Sequence, residues 1–197
     1  RNKAIQIHQK YTIDMVHTRP GIPALVGLMM KKKLGVKFLH DVREFYADSR
    51  VEGDIWNIKN PLFKIIYQYF NRKEKEQIAQ CDGIVCLTHA AEKIIQALPE
   101  YKKETALTVI PCSADLDLFD PAAVNLIQQQ QIKKELGIQQ NDFIISYLGS
   151  IGGWYMTNEM MRFCKLLSNK KPGAKFLFIS PHLHDVIAAE AVKHGLP

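Results

Sequence analysis

Residues 40–56 combine charged and aromatic side chains directly after an apolar run. Asp41, Arg43 and Asp48 are among the seven charged residues of this stretch, and Trp56 is one of its three aromatic residues. Hydrogen-bonding groups between aromatic walls are typical of a site for a sugar or another polyol. A surface loop with internal ion pairs would have the same composition. We interpret the stretch as a long loop, and both hypotheses stay open.

A second candidate site is the glycine-rich turn in residues 147–160. Gly149 and Gly152 follow a predicted strand, and a predicted helix begins near Thr157. The free amide groups at a helix N-terminus suit an anion such as a diphosphate. The glycines do not form the pattern G-x-G-x-x-G, and a glycine turn between a strand and a helix is also common without a ligand.

Thr18 and Arg19 form a third candidate site, because they lie at the end of a predicted strand. Arg19 could face a ligand or cap its own loop. His182 and His184 have an H-x-H spacing that allows metal ligation in principle, but no further cluster of ligands clearly completes the set. We therefore predict no metal site.

Alternating apolar runs and amphipathic segments must position these residues. We predict strands at residues 14–18, 36–42, 83–88, 107–111, 143–150 and 174–180, and helices at residues 20–34, 61–80, 89–98, 127–136, 157–167 and 185–194. Repeated strand–helix–strand units favour parallel sheets covered on both faces, and a break at residues 109–121 divides them into two series. We assign the apolar stripe of the second helix to the core; it comprises Leu62, Ile65, Ile66 and Tyr69.

Charge is distributed unevenly along the chain. Residues 1–112 contain 18 basic and 12 acidic residues, whereas residues 113–197 contain 8 of each, so the whole net charge of +6 lies in the first part. A basic half favours an anionic membrane surface, nucleic acid or a phosphorylated ligand, and a solvated basic face is equally compatible. No apolar run is long enough to span a membrane. Four cysteines without a C-x-x-C pair predict reduced thiols and a cytoplasmic setting.

Four segments together resemble the group 1 glycosyltransferases of the GT-B fold. They are "DMVHTRPGIPAL", "FLHDVREFYADSRVEGDIW", "CDGIVCLTHAAEKII" followed by "VIPCSADLDLFDP", and "ISYLGSIGGWYMTNEMMRF". The resemblance implies an α/β fold of two Rossmann-like units, the second incomplete. Residues 1–112 would be most of the acceptor-side domain, residues 113–121 an interdomain hinge, and residues 122–197 the first part of the domain that binds a nucleotide-sugar.

The resemblance also implies an activity. A nucleotide-sugar donor would transfer its sugar, with retention, to the hydroxyl of a glycan, a lipid-linked acceptor or a small molecule, without a cofactor or metal. The implied catalytic residues are Asp41 and Arg43. The donor phosphates would lie at Gly149, Ser150 and Gly152, with Tyr155 near the donor, and the cleft would be lined by Thr18, Arg19, Asp48, Trp56 and Asp115.

The chain departs from the family pattern in two respects. Between Gly149 and Met161 it has no Lys or Arg, so the phosphate site must depend on backbone amides or on distant cations. The family's acidic E-x7-E segment and its early glycine-rich loop have no counterpart here. We therefore expect a fragment, truncated at both ends, that is inactive alone.

Two other functions fit the same motifs. One is a noncatalytic GT-B-like unit that binds a nucleotide or a partner, and the other is a sugar-nucleotide epimerase. No motif for reading nucleic acid is present, so we predict no nucleic-acid partner. The basic first half predicts peripheral association with the inner face of the membrane.

Overall fold

A computed structural model describes residues 2–181 and 184–196. It divides into two compact units, Arg1–Ser113 and Ala114–Pro197. Both units alternate parallel strands with helices, which confirms the predicted α/β class. The roles of the two units, and the hinge role of residues 113–121, stay predictions.

The first unit is built on a four-stranded parallel sheet. Its strands run in the order β1 (Met15–Thr18), β2 (Lys37–Val42), β3 (Gly83–Cys86) and β4 (Ala106–Val109). Its helices are α1 (Asn2–Tyr11), α2 (Ile22–Leu34), α3 (Tyr46–Glu52), α4 (Pro61–Gln80) and α5 (His89–Ala97). Each β-strand pairs with its sequence neighbour, so the carboxyl ends of β1 and β2 lie side by side, with Thr18 opposite His40.

The core of the first unit is formed where α2, α4 and α5 pack on the sheet. Phe38 is fully buried on β2, and an added Cβ atom at Gly27 of α2 would lie only 2.7 Å from its ring. Glycine at this position therefore allows the helix to approach the strand closely. The end of α2 is held to β2 by Asp82, whose carboxylate accepts hydrogen bonds from Lys31 Nζ (2.5 Å) and the Phe38 amide (2.8 Å).

Local signals explain where several helices begin. Asn60 Oδ1 accepts a hydrogen bond from the Leu62 amide (2.9 Å), and Pro61 occupies the first helical position of α4, as the sequence predicts. Thr88 caps α5 in the same way through the Ala91 amide (3.1 Å).

The second unit has a two-stranded parallel sheet, β5 (Ile144–Leu148) and β6 (Lys175–Ile179). Its helices are α6 (Leu126–Glu135), α7 (Thr157–Lys170) and α8 (His184–Lys193). Two of the three acids in residues 115–120 serve as local caps. Asp115 Oδ1 accepts from the amides of Asp117 (3.0 Å) and Leu118 (3.2 Å), and Asp120 Oδ1 accepts from Ala122 (2.8 Å).

Two expectations were wrong. The predicted long loop at residues 40–56 contains the helix α3, which has no side-chain cap of its own. Instead, Glu74 of α4 accepts hydrogen bonds from the amides of Tyr46 (2.5 Å) and Ala47 (3.0 Å).

The second wrong expectation concerns the apolar stripe of α4, because most of it does not lie in the core. Leu62, Ile65 and Tyr69 are exposed, and the buried residues of the helix are Gln77 and Ile78 near its other end. Amphipathic spacing correctly predicted the helix, but it does not identify what covers the apolar face. Within residues 2–181 and 184–196, no helix is long and apolar enough to cross a membrane.

Candidate functional site

The carboxyl ends of β1 and β2 bring a buried carboxylate together with two basic side chains. Asp41 is 3% exposed, and its Oδ2 accepts a hydrogen bond from Arg43 Nε at 2.9 Å. His17 Nε2 lies 3.4 Å from the same oxygen. Because the side chains of His17 and Arg43 are about half exposed (52% and 42%), this cluster leads from the protein interior to solvent.

Three buried polar atoms at this edge have no hydrogen-bond partner among the described residues. They are Thr18 Oγ1, His40 Nδ1 and Asp41 Oδ1. Buried polar atoms are normally paired, and an unpaired one in a native structure calls for an explanation such as a catalytic role. Asp41 Oδ1 is an unused acceptor, while Arg43 can only donate. The edge therefore offers both donors and acceptors for a polyol.

Burial keeps the His40 imidazole neutral at physiological pH. Desolvation lowers the pKa of His40 to about 4, against the opposing effects of the Asp41 charge and the Thr18 backbone. A neutral imidazole carries one donor and one acceptor nitrogen, so His40 adds no charge at this edge.

Several other residues of the 40–56 stretch have partners within the first unit. Asp48 Oδ1 accepts from Tyr67 Oη (2.8 Å), and the Trp56 ring packs against Tyr46 (5.7 Å between centroids) and Phe70 (5.6 Å). Asp48 and Trp56 thus make structural contacts at the positions where the resemblance implies a cleft lining.

Ion pairing also occurs in this stretch. Arg50 Nη2 donates to Glu44 Oε1 (2.8 Å), and the Arg50 guanidinium stacks on the Tyr46 ring at 4.7 Å. This part of the stretch therefore fits the hypothesis of a surface segment with internal ion pairs. Asp41 and Arg43 instead lie at the shared edge of β1 and β2.

Arg19 is exposed in the connection between β1 and α2, next to the Thr18 end of the strand. The same connection contains Gly21, where an added Cβ atom would lie 2.6 Å from the Tyr46 ring. The glycine lets α3 pack against this connection, which holds the segments around Arg19 and Arg43 near one another.

The second unit contains the glycine turn after β5. Gly149, Ser150 and Gly152 connect β5 to a short 3-10 helix, Gly153–Tyr155, and α7 follows. Gly152 has a φ of +83°, a conformation that glycine adopts readily. Its amide donates to Thr157 Oγ1 (2.7 Å), so that amide is already engaged.

The backbone amides at the start of α7 are still able to bind an anion. Met156 precedes it in a left-handed conformation, without a side-chain cap. The amides of the first helical turn have no intrahelical acceptors, and they carry the positive end of the helix dipole. Tyr155 is 47% exposed beside this turn.

Two further predicted positions belong to the second unit. Asp115 caps a turn through its carboxylate, as described above. His182 lies outside the described residues, and His184 is exposed at the start of α8. In the part of the chain that the structure describes, no three His, Cys, Asp or Glu residues are grouped as metal ligands.

Reasoning from sequence did not single out His17 and His40. Both positions could have been found from strand register, since parallel strands bring the residues at their carboxyl ends to one edge. The predicted site residues Thr18, Asp41 and Arg43 lie at this edge too.

Comparison with known proteins identifies the class of fold to which these features correspond. No family model matches the chain. It is 23% identical to alpha-monoglucosyldiacylglycerol synthase of Streptococcus pneumoniae over 76% of the chain and 32% of that protein. It is 22% identical to D-inositol 3-phosphate glycosyltransferase of Segniliparus rotundus over 87% of the chain and 36% of that protein.

Solved structures share the fold over 98% of the chain. A glycosyltransferase of Rickettsia africae matches with a TM-score of 0.61 at 17% identity, covering 46% of that protein. The UDP-GlcNAc 2-epimerase of Neisseria meningitidis, bound to UDP-GlcNAc, matches with a TM-score of 0.51 at 11% identity, covering 49%.

The chain resembles glycosyltransferases in sequence and fold, as its motifs predict. It spans about a third of the length of the curated relatives that it matches.

Proposed function

We propose that this chain forms part of a retaining glycosyltransferase that moves a sugar from a nucleotide-sugar donor to an acceptor hydroxyl. The observation that carries the proposal is the buried Asp41, whose Oδ1 has no partner among the described residues at the shared edge of β1 and β2. The resemblance to glycosyltransferases supports sugar transfer as the reaction at this candidate polyol site. Retention of configuration is what the motif resemblance implies.

In this proposal Asp41 accepts a hydrogen bond from a sugar hydroxyl and so orients the reacting groups. Arg43 holds Asp41 in place and offers its remaining guanidinium donors to the ligand. Such fixed hydrogen-bonding groups accelerate a reaction by positioning the reactants and by stabilising the charge that develops in the transition state. Neither role requires a metal or cofactor.

The donor diphosphate is proposed to bind at the turn after β5. Ser150 and the first turn of α7 supply donors there, and the helix dipole favours the negative charge that the leaving group gains. Gly149 and Gly152 let the backbone make this turn. Because Arg162 is the first basic residue after the turn, backbone groups carry most of this interaction.

The acceptor class is proposed from the relatives. One is named for a glucosyldiacylglycerol, so a lipid-linked acceptor at the cytoplasmic face of a membrane is the class we favour among glycans, lipids and small molecules. The first unit, with Thr18 and Arg19 at its strand edge, would hold this acceptor.

The test is a screen of nucleotide-sugar donors against the full-length protein, with released nucleoside diphosphate as the readout. With the preferred donor, Asp41→Asn should lower kcat/KM by about 100-fold or more, because Arg43 would hold the one remaining acceptor oxygen and an NH2 donor would replace the acceptor that faces the sugar hydroxyl. Arg43→Gln provides a second variant at an exposed side chain. Asp54→Asn is the matched control, since Asp54 is exposed with a φ of +57° that Asn also tolerates.

Unchanged activity in both site variants would contradict the proposal. Product analysis separates the remaining alternatives. An inverted anomeric configuration would exclude retention, and a converted nucleotide-sugar formed without any acceptor would indicate an epimerase. Binding of nucleoside diphosphate without turnover of any donor would indicate a noncatalytic unit.

A further inference from the structure

An apolar stripe on the first half of α4 faces outward. Ile58, just before the helix, is 44% exposed, and Leu62, Ile65 and Tyr69 are 61%, 63% and 40% exposed. Leu62, Ile65 and Tyr69 are spaced by three and four residues, which places them on one face of α4, and Ile58 lies in the turn before the helix. We call these four residues the α4 stripe.

The first unit does not use the α4 stripe for its own packing. The buried residues of α4 are Gln77 and Ile78, near its C-terminal end. Phe70, which points toward Tyr46 and Trp56, contributes the packing of the middle of the helix. Isolated exposed apolar residues are ordinary, but a contiguous row along a helix marks an interaction surface.

Charge along the same segment has one sign only. Residues 55–73 contain Lys59, Lys64, Arg72 and Lys73 and no acidic residue. The next acid along the chain, Glu74, is directed at the amides of α3. The α4 stripe therefore lies in a segment with four positive charges, one of which, on Lys73, is paired with Glu76 (2.7 Å).

We propose that the α4 stripe docks on an anionic phospholipid bilayer, with α4 lying in the plane of the interface. A helix with an apolar face and basic residues beside it binds in this way, through apolar burial and attraction to anionic lipid. Tyr69 suits the headgroup level because its ring is amphipathic. A second copy of the chain fits less well, since pairing two copies through residues 55–73 would bring together two segments that each carry four positive charges and no acidic residue.

The test is sedimentation with vesicles, without any sugar donor, so that its outcome is independent of the proposed sugar transfer. The protein should bind phosphatidylglycerol vesicles and bind phosphatidylcholine vesicles much more weakly, and added salt should weaken the binding. Ile65→Ser should weaken binding to phosphatidylglycerol by about tenfold, because an apolar contact with the bilayer is lost. Ile94→Ser is the matched control, at a 51% exposed isoleucine on α5.

A charge variant keeps the test decisive if Ile65→Ser disturbs folding. Arg72→Gln should weaken binding about fivefold, which corresponds to about 1 kcal/mol for one basic residue at an anionic surface. Arg72 is exposed and lies one turn after Tyr69 on the same side of α4. Lys93→Gln on α5 is the control, since Arg72 and Lys93 are both exposed helical residues with the same charge.

Three results would overturn the proposal. One is equal binding to the two kinds of vesicle, and another is equal loss in the α4 variants and the α5 controls. The third is absence of vesicle binding together with a dimer, seen by analytical ultracentrifugation, that Ile65→Ser dissociates; this would assign the α4 stripe to a second copy.

Discussion

Two buried or half-buried ionisable side chains in the first unit have pKa values displaced in opposite directions. Desolvation lowers the pKa of His40 from 6.5 to about 4. Desolvation also raises the pKa of Glu74 from 4.5 to about 7, despite the hydrogen bonds from the amides of Ala47 and Tyr46, and the carboxylates of Asp48 and Glu44 add to this rise. Each group therefore prefers its neutral form in the folded protein.

The two groups should contribute opposite pH dependences to stability. The folded pKa of Glu74 is raised, so its contribution to stability is lost as pH rises from about 4.5 to about 7. The folded pKa of His40 is lowered, so its contribution is lost as pH falls from 6.5 to about 4. Each effect is at most about 3 kcal/mol, and the two nearly cancel between pH 4.5 and 6.5.

Urea unfolding across that window tests the cancellation. The unfolding free energy of Glu74→Gln should rise with pH, because the His40 effect then acts alone. That of His40→Leu should fall with pH for the converse reason. If both variants kept the slope of the wild-type protein, the assignment of these two groups would be wrong.

At the scale of elements, the contact between α2 and β2 depends on the absence of one methyl group. An added Cβ atom at Gly27 would lie 2.7 Å from Phe38 Cε2 and 3.1 Å from Thr18 Cγ2. Alanine would gain about 1 kcal/mol in helix propensity, but overpacking costs about 1–3 kcal/mol. The steric effect should dominate, because Phe38 is fully buried and cannot move aside freely.

Gly27→Ala should therefore lower the free energy of unfolding by up to about 2 kcal/mol, as measured by urea denaturation. In a Phe38→Leu background the smaller side chain leaves room, and the same substitution should cost less. The double-mutant cycle isolates this coupling. Stabilisation by Gly27→Ala in the wild-type background would show that α2 moves away from the sheet without cost.

The elements that the sequence predicted well are those whose signals are local. The apolar runs of all six strands and the Asn60–Pro61 start of α4 carry their own evidence. By contrast, α3 was missed because the acceptor for its first amides, Glu74, is 27 and 28 residues away in sequence. The apolar face comprising Leu62, Ile65, Ile66 and Tyr69 was assigned to the core because amphipathic spacing is the same whether a face meets protein or remains exposed.

The candidate site was also predictable only in part. The charged and aromatic composition of residues 40–56 drew attention to Asp41 and Arg43, which the structure brings together. Composition could not show that Asp48 and Trp56 have partners within their own unit, because those contacts depend on Tyr67 and Phe70 of α4.

At the scale of the whole molecule, the two units differ in the size of their cores. Of the described apolar residues, twelve are buried in the first unit, and three in the second: Ile151, Met161 and Cys164. A small core buries a smaller share of the chain's apolar surface and leaves less stability after the entropy of folding is offset. The second unit should therefore be the less stable of the two.

Calorimetry should resolve two unfolding transitions, the second unit melting at the lower temperature. Met161→Ala should shift the lower transition, and Ile84→Ala should shift the higher one, since each removes a buried side chain at a cost of about 2–5 kcal/mol. A single transition that both variants lower equally would mean that the units unfold together.

The cap that Glu74 provides for α3 constrains the order in which the first unit folds. A helix of seven residues is too short to persist alone, since isolated helices need about 12–15 residues. Because the acceptor for its first amides belongs to α4, α3 gains stability only once α4 is in place. The segment after Arg43 is thus a late-forming part of the unit, and a local opening that withdraws Glu74 would release it while the sheet stays intact.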